Sequence, residues 1–429
     1  MRVLIVSPGH PDHGGGGTER AAYSLFQRLR QDPEVGAAAF VARAEPSAIG
    51  HDGHLGSYRL RTDELLASPP PVDSFSMQTT HLDGLAELVE SLVTGFRPDV
   101  VHLHHVLFWG VEVLKLFADA GVKVVLTLHD FTPICAHYGQ MVKSSGGLCY
   151  AAYDAECAAC IPMATAGHIF LRRAIVKEMM GYVDAFLAPS AFLARRFEEW
   201  GLPAGRPVAV IDNLLNPSLA GAVGGLDRRR TDDDGQIVLG FFGQITPFKG
   251  VDVLLAAMPR LVDGPRHRLK LKVHGENLHY RTQRFGRRLA KLFRTVPNVV
   301  QCGNYDNSAV IPLMRDCDYI VVPSIWWENS PLVIQEARLA GRPIIASNIG
   351  GMAEKTDASV DMLVPPGDQK ALAEVLSGIA DGTIRPNLKR ARTLARRRLD
   401  AEGRLYEQHL LLFRSLLSLG PNGRRGQGT

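Results

Sequence analysis

The sequence contains no long run of apolar residues. Its best candidate for a membrane span is interrupted by Lys115, Asp119 and Lys123, so no stretch approaches ~18 consecutive apolar residues. The apolar run at the N-terminus, RVLIVS, stops at Pro8 and Gly9, whereas the apolar region of a secretory signal is longer. Both observations predict a cytoplasmic protein without a membrane-spanning helix.

Strong charge imbalance is also missing, and cysteine is scarce. The net charge is +4 over 429 residues, which by itself does not suggest a nucleic-acid-binding protein. Six cysteines are typical of a protein from a reducing compartment, where structural disulfides are rare. We therefore expect no nucleic acid among the partners and no disulfide framework.

Four of the six cysteines lie near one another in the sequence. They are Cys135, Cys149, Cys157 and Cys160, and the last two form a C-x-x-C motif. Four thiolates can hold Zn²⁺, but only one pair here has the short spacing of a metal motif. The alternative, which we slightly favour, is a set of small buried apolar side chains on an irregular loop. Whether these four cysteines bind a metal stays open; we expect no metal at a catalytic site and no cofactor.

Short apolar runs alternate with helix-length segments along a chain that is too long for one ordinary core. Most runs, such as KVVLTLHD and YIVVPS, are almost continuously apolar, as parallel strands buried on both faces are. The pattern predicts an α/β protein of two doubly wound, Rossmann-like domains whose strand ends face a central cleft. We place the N-terminal domain at 1–213, a Gly-rich, charged linker at 214–235 and the second domain at 236–398. A helix over 399–420 should pack back on the first domain, ahead of a disordered tail at 421–429.

Two turns combine glycine with the start of a helix. In the first, HGGGGTER, Gly16 and Gly17 would let a ligand approach the backbone, and the helix N-terminus could receive a phosphate. This turn has neither the lysine of a P-loop nor the last glycine of a dinucleotide fingerprint, so alone it indicates only a flexible turn. In the second, GFFGQITPFKG, Lys249 precedes a helix that should begin near Gly250, where its charge would reinforce an anion site.

The segment WWENSPLVIQEA joins a predicted strand to a predicted helix. Ser330 is expected to cap this helix and Pro331 to occupy its first position. The backbone N–H groups from Leu332 onward would then be available to a ligand. A diphosphate could bind these amides, while Glu328 and Glu336 accept hydrogen bonds from sugar and ribose hydroxyls.

These motifs together resemble those of the retaining glycosyltransferases of family 4, which have the two-domain GT-B fold. The spacing from Glu328 to Glu336 matches the E-x7-E pattern of that family. The segments GGTER, APSAFLARRF, GRPIIASNIGGMAEKT and LVPPGD are similar to other segments of the family. The resemblance implies transfer of a sugar from a nucleotide diphosphate sugar, UDP- or GDP-linked, to a glycan, a lipid-linked saccharide or a small molecule. It also implies that a metal is generally not needed.

The resemblance also assigns roles to individual residues. Catalysis would involve Lys249, Glu328 and His129, the last as the histidine that contacts the donor sugar. The expected donor-binding residues are Gly16, Gly17, Gln244, Lys249, Glu328, Asn329, Ser330, Pro331, Leu332 and Glu336. Gln244 departs from the family, which usually has an arginine there, so Lys249 would be the main cation. His129 could instead be structural, since His104 and His105 show that histidine is used freely near strand ends.

Two other functions and one further partner stay open at this point. A nucleotide-sugar epimerase can have the same architecture, and a non-catalytic member could be a binding subunit of a glycan-assembly complex. The segment RTQRFGRRLAKLFR, residues 281–294, predicts a helix whose apolar stripe is core and whose outer face is basic. That face is either simply solvated or rests on an anionic membrane, which would place the protein peripherally at the inner membrane face.

Overall fold

The computed structural model describes residues 1–13, 16–49, 54–206, 208–219, 236–261, 268–276 and 283–419. Within it the chain forms two compact units, each with its own parallel sheet. One comprises Met1–Pro217 and Gly403–Thr429, and the other comprises Ser218–Glu402. Most of the expected linker, from 220 to 235, and the expected tail from 421 onward lie outside the described residues.

The first unit contains an eight-stranded sheet with the strand order β3-β4-β2-β1-β5-β6-β7-β8. All neighbouring strands are parallel except β3 and β4. The strands are β1 Arg2–Ser7, β2 Ala37–Arg43, β3 Leu55–Ser57, β4 Glu64–Ala67, β5 Val100–Leu103, β6 Lys123–Thr127, β7 Ala185–Ala188 and β8 Val208–Val210. The helices are α1 Gly17–Gln31, α2 Pro46–Ile49, α3 Leu82–Phe96, α4 Glu112–Asp119, α5 Asp154–Ala158, α6 Ala166–Met180 and α7 Ala191–Trp200.

The second unit contains a six-stranded, fully parallel sheet with the order β11-β10-β9-β12-β13-β14. Its strands are β9 Ile237–Phe242, β10 Leu269–His274, β11 Val299–Gly303, β12 Tyr319–Val322, β13 Ile344–Ser347 and β14 Met362–Val364. The helices are α8 Val251–Ala257, α9 Arg284–Thr295, α10 Val310–Arg315, α11 Leu332–Leu339, α12 Gly350–Lys355 and α13 Gln369–Asp381. The strand order reverses at β9, so the carboxyl ends of β9 and β12 form the usual ligand edge of such a sheet.

The last helix, α14 Leu388–Ser418, belongs to both units. Its residues up to Glu402 group with the second unit and those from Gly403 with the first. Phe413 is fully buried in the core of the first unit, and the Tyr406 hydroxyl donates a 2.6 Å hydrogen bond to Asp32. The helix begins at Leu388, eleven residues before the start expected from the sequence, because its amphipathic pattern continues through 388–398.

Eleven apolar runs of the sequence each overlap a strand, whereas three strands contain no such run; the eleven are RVLIVS, AAAFVA, DVVHLHH, KVVLTLHD, AFLAPS, VAVIDN, IVLGFFG, LKLKVHG, VVQCG, YIVVPS and PIIAS. The three strands without a run are β3, β4 and β14, which have three, four and three residues. Such strands are too short to show a periodicity, and β4 begins with a buried carboxyl residue, Glu64, that hides its apolar character. Among the described helices, none has the length and apolarity needed to cross a membrane.

Candidate active site

Lys249 and Glu328 meet at the carboxyl edge of the second sheet. Lys249 lies in the turn after β9, and Glu328 lies in the loop after β12. Because β9 and β12 are neighbouring parallel strands, both loops leave the sheet at the same edge. The Lys249 Nζ donates a hydrogen bond of 2.6 Å to Glu328 Oε1, across 79 positions of the sequence.

Close backbone approach makes this pairing possible. Gly250 has φ +69°, and a Cβ atom there would lie 1.9 Å from the carbonyl oxygen of Pro323. Only glycine therefore fits between the turn and the end of β12. The N–H of Ile325 donates to the Phe248 carbonyl at 2.9 Å, which joins the two loops directly.

The Glu328 carboxylate is buried and held by three donors on one oxygen. Oε1 accepts from Lys249, from the Ser324 hydroxyl at 2.9 Å and from Trp326 Nε1 at 2.9 Å, and the residue is 6% exposed. The other oxygen, Oε2, has no hydrogen-bond partner within the described part of the chain. The Lys249 ammonium also lies 5.5 Å from the centre of the Trp326 ring, a cation–π arrangement. Glu328 thus orients the lysine and retains an oxygen that can accept from a hydroxyl group.

The helix α11 begins one residue later than the sequence predicted. Pro331 has ψ 122°, an extended value, so it is the N-cap residue and Leu332 is the first helical residue. The expected capping by Ser330 is therefore wrong, because its hydroxyl lies one position too early to receive an N–H group of the first turn. Ser330 Oγ instead accepts a 2.9 Å hydrogen bond from Gln335 Nε2. The N–H groups at the start of α11 still include that of Leu332.

The remaining predicted donor-binding residues of the second unit surround this helix start. Glu336, in the second turn of α11, is buried, with 4% exposure. The half-buried Asn329 packs against α12, where a Cβ on Gly351 would lie 1.5 Å from its carbonyl oxygen. Gln244 is exposed just after β9. Among the predicted donor-binding residues of this unit, Lys249 and Glu328 are thus hydrogen-bonded to each other, and the other residues lie on the neighbouring loops and on α11.

The carboxyl ends of β5 and β6 carry a cluster of histidines in the first unit. Nδ1 of His104 and Nε2 of His129 share a 2.9 Å hydrogen bond. His105 Nε2 and Asp130 Oδ2 are 3.1 Å apart. Both pairs have the same separation of 25 residues, because β5 and β6 are parallel; this is two residues more than their backbone register, which pairs His102 with Val125.

The two pairs carry different charge. Burial, reinforced by neighbouring His105, lowers the pKa of His129 to about 3, so its imidazole is neutral at neutral pH. Burial would also lower the pKa of His105, but the Asp130 carboxylate outweighs burial and raises it above its ordinary value. Asp130 behaves in the complementary way: burial opposes its charge, and His105 together with hydrogen bonds from Thr132 lowers its pKa. His105 and Asp130 therefore form the ionic pair beside a neutral His129.

The glycine turn of the first unit lies at the same sheet edge. Gly17 is the first residue of α1, and the Gly16 N–H donates a 2.7 Å hydrogen bond to the Glu19 carboxylate. The turn follows β1, which pairs with β5, and the Glu19 charge makes a small contribution to the raised pKa of His105. The Gly16 N–H group, in the turn where a phosphate was expected to bind, thus donates to the Glu19 carboxylate instead.

The four clustered cysteines are half-buried free thiols. Burial raises the pKa of Cys149 to about 11, and burial likewise raises the pKa of Cys135 and Cys157. Over the described ranges, no three His, Cys, Asp or Glu side chains come together in a way that could hold a metal ion. At neutral pH Cys135, Cys149 and Cys157 are therefore protonated thiols.

Sequence reasoning underestimated three contributors to these clusters. Ser324 and Trp326 hold the Glu328 carboxylate, and His104 contacts His129. The sequence gives no signal that this serine and this tryptophan donate to Glu328, because these contacts depend on how the loop after β12 folds. A signal for the histidine did exist: HLHH and TLHD end two apolar runs with histidines that align at one constant separation.

Two protein-family descriptions match this chain. The description "Glycosyltransferase Family 4" matches residues 15–219, and "Glycosyl transferases group 1" matches residues 236–381. The boundary between these matches falls close to the division between the two compact units at Pro217 and Ser218. Both halves of the chain are thus recognised as glycosyltransferase domains.

Curated relatives are similar over part of their length. Phosphatidyl-myo-inositol mannosyltransferase of Mycobacterium leprae is 32% identical over 145 residues, which are 33% of this chain and 36% of the relative. D-inositol 3-phosphate glycosyltransferase of Saccharomonospora viridis is 31% identical over 166 residues, which are 36% of each chain. The chain thus spans about a third of the length of these relatives.

Solved structures are similar over nearly the whole chain. HepE of Anabaena in complex with UDP-glucose superposes with a TM-score of 0.62 and 17% identity, over 98% of this chain and 100% of that chain. At this identity the likeness establishes the fold alone. The family matches, the two parallel-sheet units and this superposition lead to one conclusion: the chain belongs to the family 4 glycosyltransferases and has the GT-B fold.

Proposed function

We propose that the protein is a retaining glycosyltransferase that moves a sugar from a nucleotide diphosphate sugar to an acceptor. The second unit binds the donor, and the first unit binds a glycan, a lipid-linked saccharide or a small molecule. The observation that carries the proposal is the contact between Lys249 and Glu328 at the start of α11. It combines a cation for a phosphate with a carboxylate for sugar hydroxyls.

Each group of this site has a task that its chemistry supports. The Lys249 ammonium stabilises the negative charge that grows on the diphosphate as the bond from sugar C1 to the phosphate oxygen breaks. The N–H groups at the start of α11, from Leu332 onward, bind the same diphosphate. Glu328 Oε2 accepts a hydrogen bond from a sugar hydroxyl, and Glu336 binds the ribose. In the first unit, His129 contacts a substrate hydroxyl.

The relatives suggest which donors to test first. HepE was solved with UDP and with UDP-glucose, so UDP-sugars lead the screen. One relative is named a mannosyltransferase and another an inositol-phosphate glycosyltransferase, so GDP-sugars and cyclitol acceptors follow. None of these names is a conclusion about the substrate of this chain.

The decisive experiment measures release of nucleoside diphosphate from each UDP- and GDP-sugar, with and without a panel of acceptors. We expect release that depends on the acceptor, and a product whose anomeric configuration by NMR equals that of the donor. Conversion of the donor without any acceptor would instead indicate an epimerase. Binding of the donor without turnover across the panel would indicate a binding subunit. An inverted product would contradict the retaining mechanism.

We also propose that α9 contacts an anionic membrane surface. Leu289 is buried in the core of the second unit, and Phe285, Leu292 and Phe293 pack partly against that core. Five exposed side chains of the helix are basic, and the other two exposed residues, Ala290 and Thr295, are uncharged: the basic ones are Arg284, Arg287, Arg288, Lys291 and Arg294. Asp252 pairs with Arg288 at 3.4 Å, which leaves a mostly positive outer face. Each such charge can contribute about 1 kcal/mol on an anionic bilayer.

Co-sedimentation with anionic and with neutral liposomes tests this contact. We expect binding to anionic liposomes at low salt, with less binding at physiological salt because of screening. A variant with Arg284→Gln and Lys291→Gln should lose much of it, whereas Arg396→Gln with Arg397→Gln, exposed on α14, should not. If the protein ignores anionic liposomes even at low salt, the basic face of α9 is ordinary surface.

A further inference from the structure

A ladder of polar side chains connects β5 to β6 at the edge where His129 lies. Its innermost rung joins His102 Nε2 to Thr127 Oγ1 at 2.6 Å, in the fully buried part of the sheet. The next rung joins His104 Nδ1 to His129 Nε2 at 2.9 Å. The ladder therefore leads from the core to a histidine that is only half-buried.

His104 itself is sealed from solvent. It is 3% exposed, and its ring lies between those of His102, 4.4 Å away, and His129, 5.2 Å away in a stacked arrangement. Burial, with smaller effects of the neighbouring histidines His102, His129 and His409, lowers its pKa well below the ordinary value. The imidazole is consequently neutral, and it has one proton to place on one of two nitrogens.

The position of that proton follows from the hydrogen bonds of the ring. Nε2 of His104 is buried and has no hydrogen-bond partner in the described part of the chain. A proton on Nε2 would bury an N–H donor without an acceptor, while His104 Nδ1 would accept from His129. If the proton is on Nδ1 instead, the Nδ1–H group of His104 donates the 2.9 Å hydrogen bond to His129, and Nε2 is an acceptor without a donor. A buried N–H donor without an acceptor is rarer than this and costs more free energy. Nδ1 of His104 is therefore the donor.

We propose that His104 is a positioning residue that holds the neutral ring of His129 with its Nε2 as acceptor and its proton on Nδ1. Nε2 is the ring nitrogen with which His129 could take up a proton as a general base, and this nitrogen is already hydrogen-bonded to His104. Any hydrogen bond from the His129 ring to a substrate is then donated by Nδ1–H, toward an oxygen of the sugar or of the acceptor. This role deepens the proposed glycosyltransfer and rests on it.

The ring chemistry can be tested on the wild-type protein without any substrate. Nitrogen-15 NMR of the histidine side chains distinguishes protonated from unprotonated ring nitrogens. We expect His104 and His129 each to carry the proton on Nδ1 at neutral pH. A proton on Nε2 of His129 overturns the proposal. Because no turnover is involved, this outcome does not depend on whether the proposed reaction is right.

Two substitutions at His104 then connect the tautomer to the reaction. His104→Leu removes the donor, whereas in His104→Asn the amide nitrogen takes the place of Nδ1 and can still donate. With the substrates found in the donor screen, we expect Leu to lower kcat about tenfold or more, as loss of orientation does. Asn should restore most of that rate, and neither change should affect binding of the free nucleoside diphosphate.

A matched control separates positioning from packing. His409→Leu changes another buried histidine that neighbours His102 and is not hydrogen-bonded to His129. It should leave kcat near the wild-type value, with thermal unfolding followed for all variants. Equal activity of the Leu and Asn variants of His104, or wild-type activity of His104→Leu, contradicts the positioning role. Absence of acceptor-dependent release in the wild type refutes the proposed function instead, and the NMR result still stands.

Discussion

Removing the charge of Glu328 should strengthen binding of the free nucleoside diphosphate while slowing sugar transfer. In the ligand-free protein, Lys249 donates to Glu328 Oε1 at 2.6 Å, so a diphosphate must compete with this carboxylate for the ammonium. Glu328→Gln keeps an oxygen that can accept from Ser324 and Trp326 but removes the negative charge. The lysine then becomes available to the phosphate at lower cost.

The magnitude follows from the type of hydrogen bond. A bond to a charged group contributes about 1.5–3 kcal/mol and a neutral one about 0.5–1.5 kcal/mol. Lys249 keeps its own charge in the variant, so only part of this difference is lost; we take roughly 1 kcal/mol, because the lysine side chain is also 29% exposed and partly screened by solvent. This corresponds to about fivefold tighter binding of the diphosphate. Transfer should nevertheless slow by about tenfold or more, because the carboxylate that accepts from the sugar hydroxyl is lost.

Isothermal titration calorimetry with UDP or GDP, whichever the donor screen identifies, measures the first effect, and steady-state turnover measures the second. Glu374→Gln is the matched control, because it changes the net charge equally at a side chain that is 68% exposed and pairs with the neighbouring Lys370. It should alter neither quantity. Diphosphate binding to Glu328→Gln that is equal to or weaker than in the wild type would refute the competition between carboxylate and phosphate.

Three further outcomes are expected. Glu336→Gln should weaken nucleotide binding by roughly 1–3 kcal/mol, the cost of a lost charge-assisted hydrogen bond, and unchanged affinity in calorimetry removes Glu336 from the site. Lys249→Ala should lower turnover by about 10² or more at saturating donor, as removal of one preorganised donor does, and wild-type turnover contradicts this role. Burial lowers the pKa of His409 to about 4 and that of His129 to about 3, so the unfolded chain takes up these protons first as the pH falls. The contribution of these histidines to the free energy of unfolding should therefore be complete above about pH 6.5 and fall below it by about 1.4 kcal/mol per pH unit for each histidine. Urea unfolding at pH 7, 6 and 5 measures this loss, and its absence contradicts the neutral state of the two rings.

The sequence alone was sufficient for the fold because parallel strands buried on both faces must be apolar throughout. Runs such as RVLIVS and YIVVPS therefore marked strands directly, and their order along the chain indicated two doubly wound units. Short strands such as β4, Glu64–Ala67, have too few residues for this signal. The spacing of Glu328 and Glu336 was likewise a local property, since both belong to one loop and the helix that follows.

Tertiary structure decided which side chains touch. Lys249 meets Glu328 because β9 lies beside β12, and His104 meets His129 because β5 lies beside the parallel strand β6. Strand adjacency depends on how the whole sheet packs, and local patterns do not encode it. The start of α11 also depended on context, since the backbone at Pro331 is extended although proline favours the first helical position. Local sequence therefore determined which segments form strands and helices, and long-range packing determined the contacts between their ends.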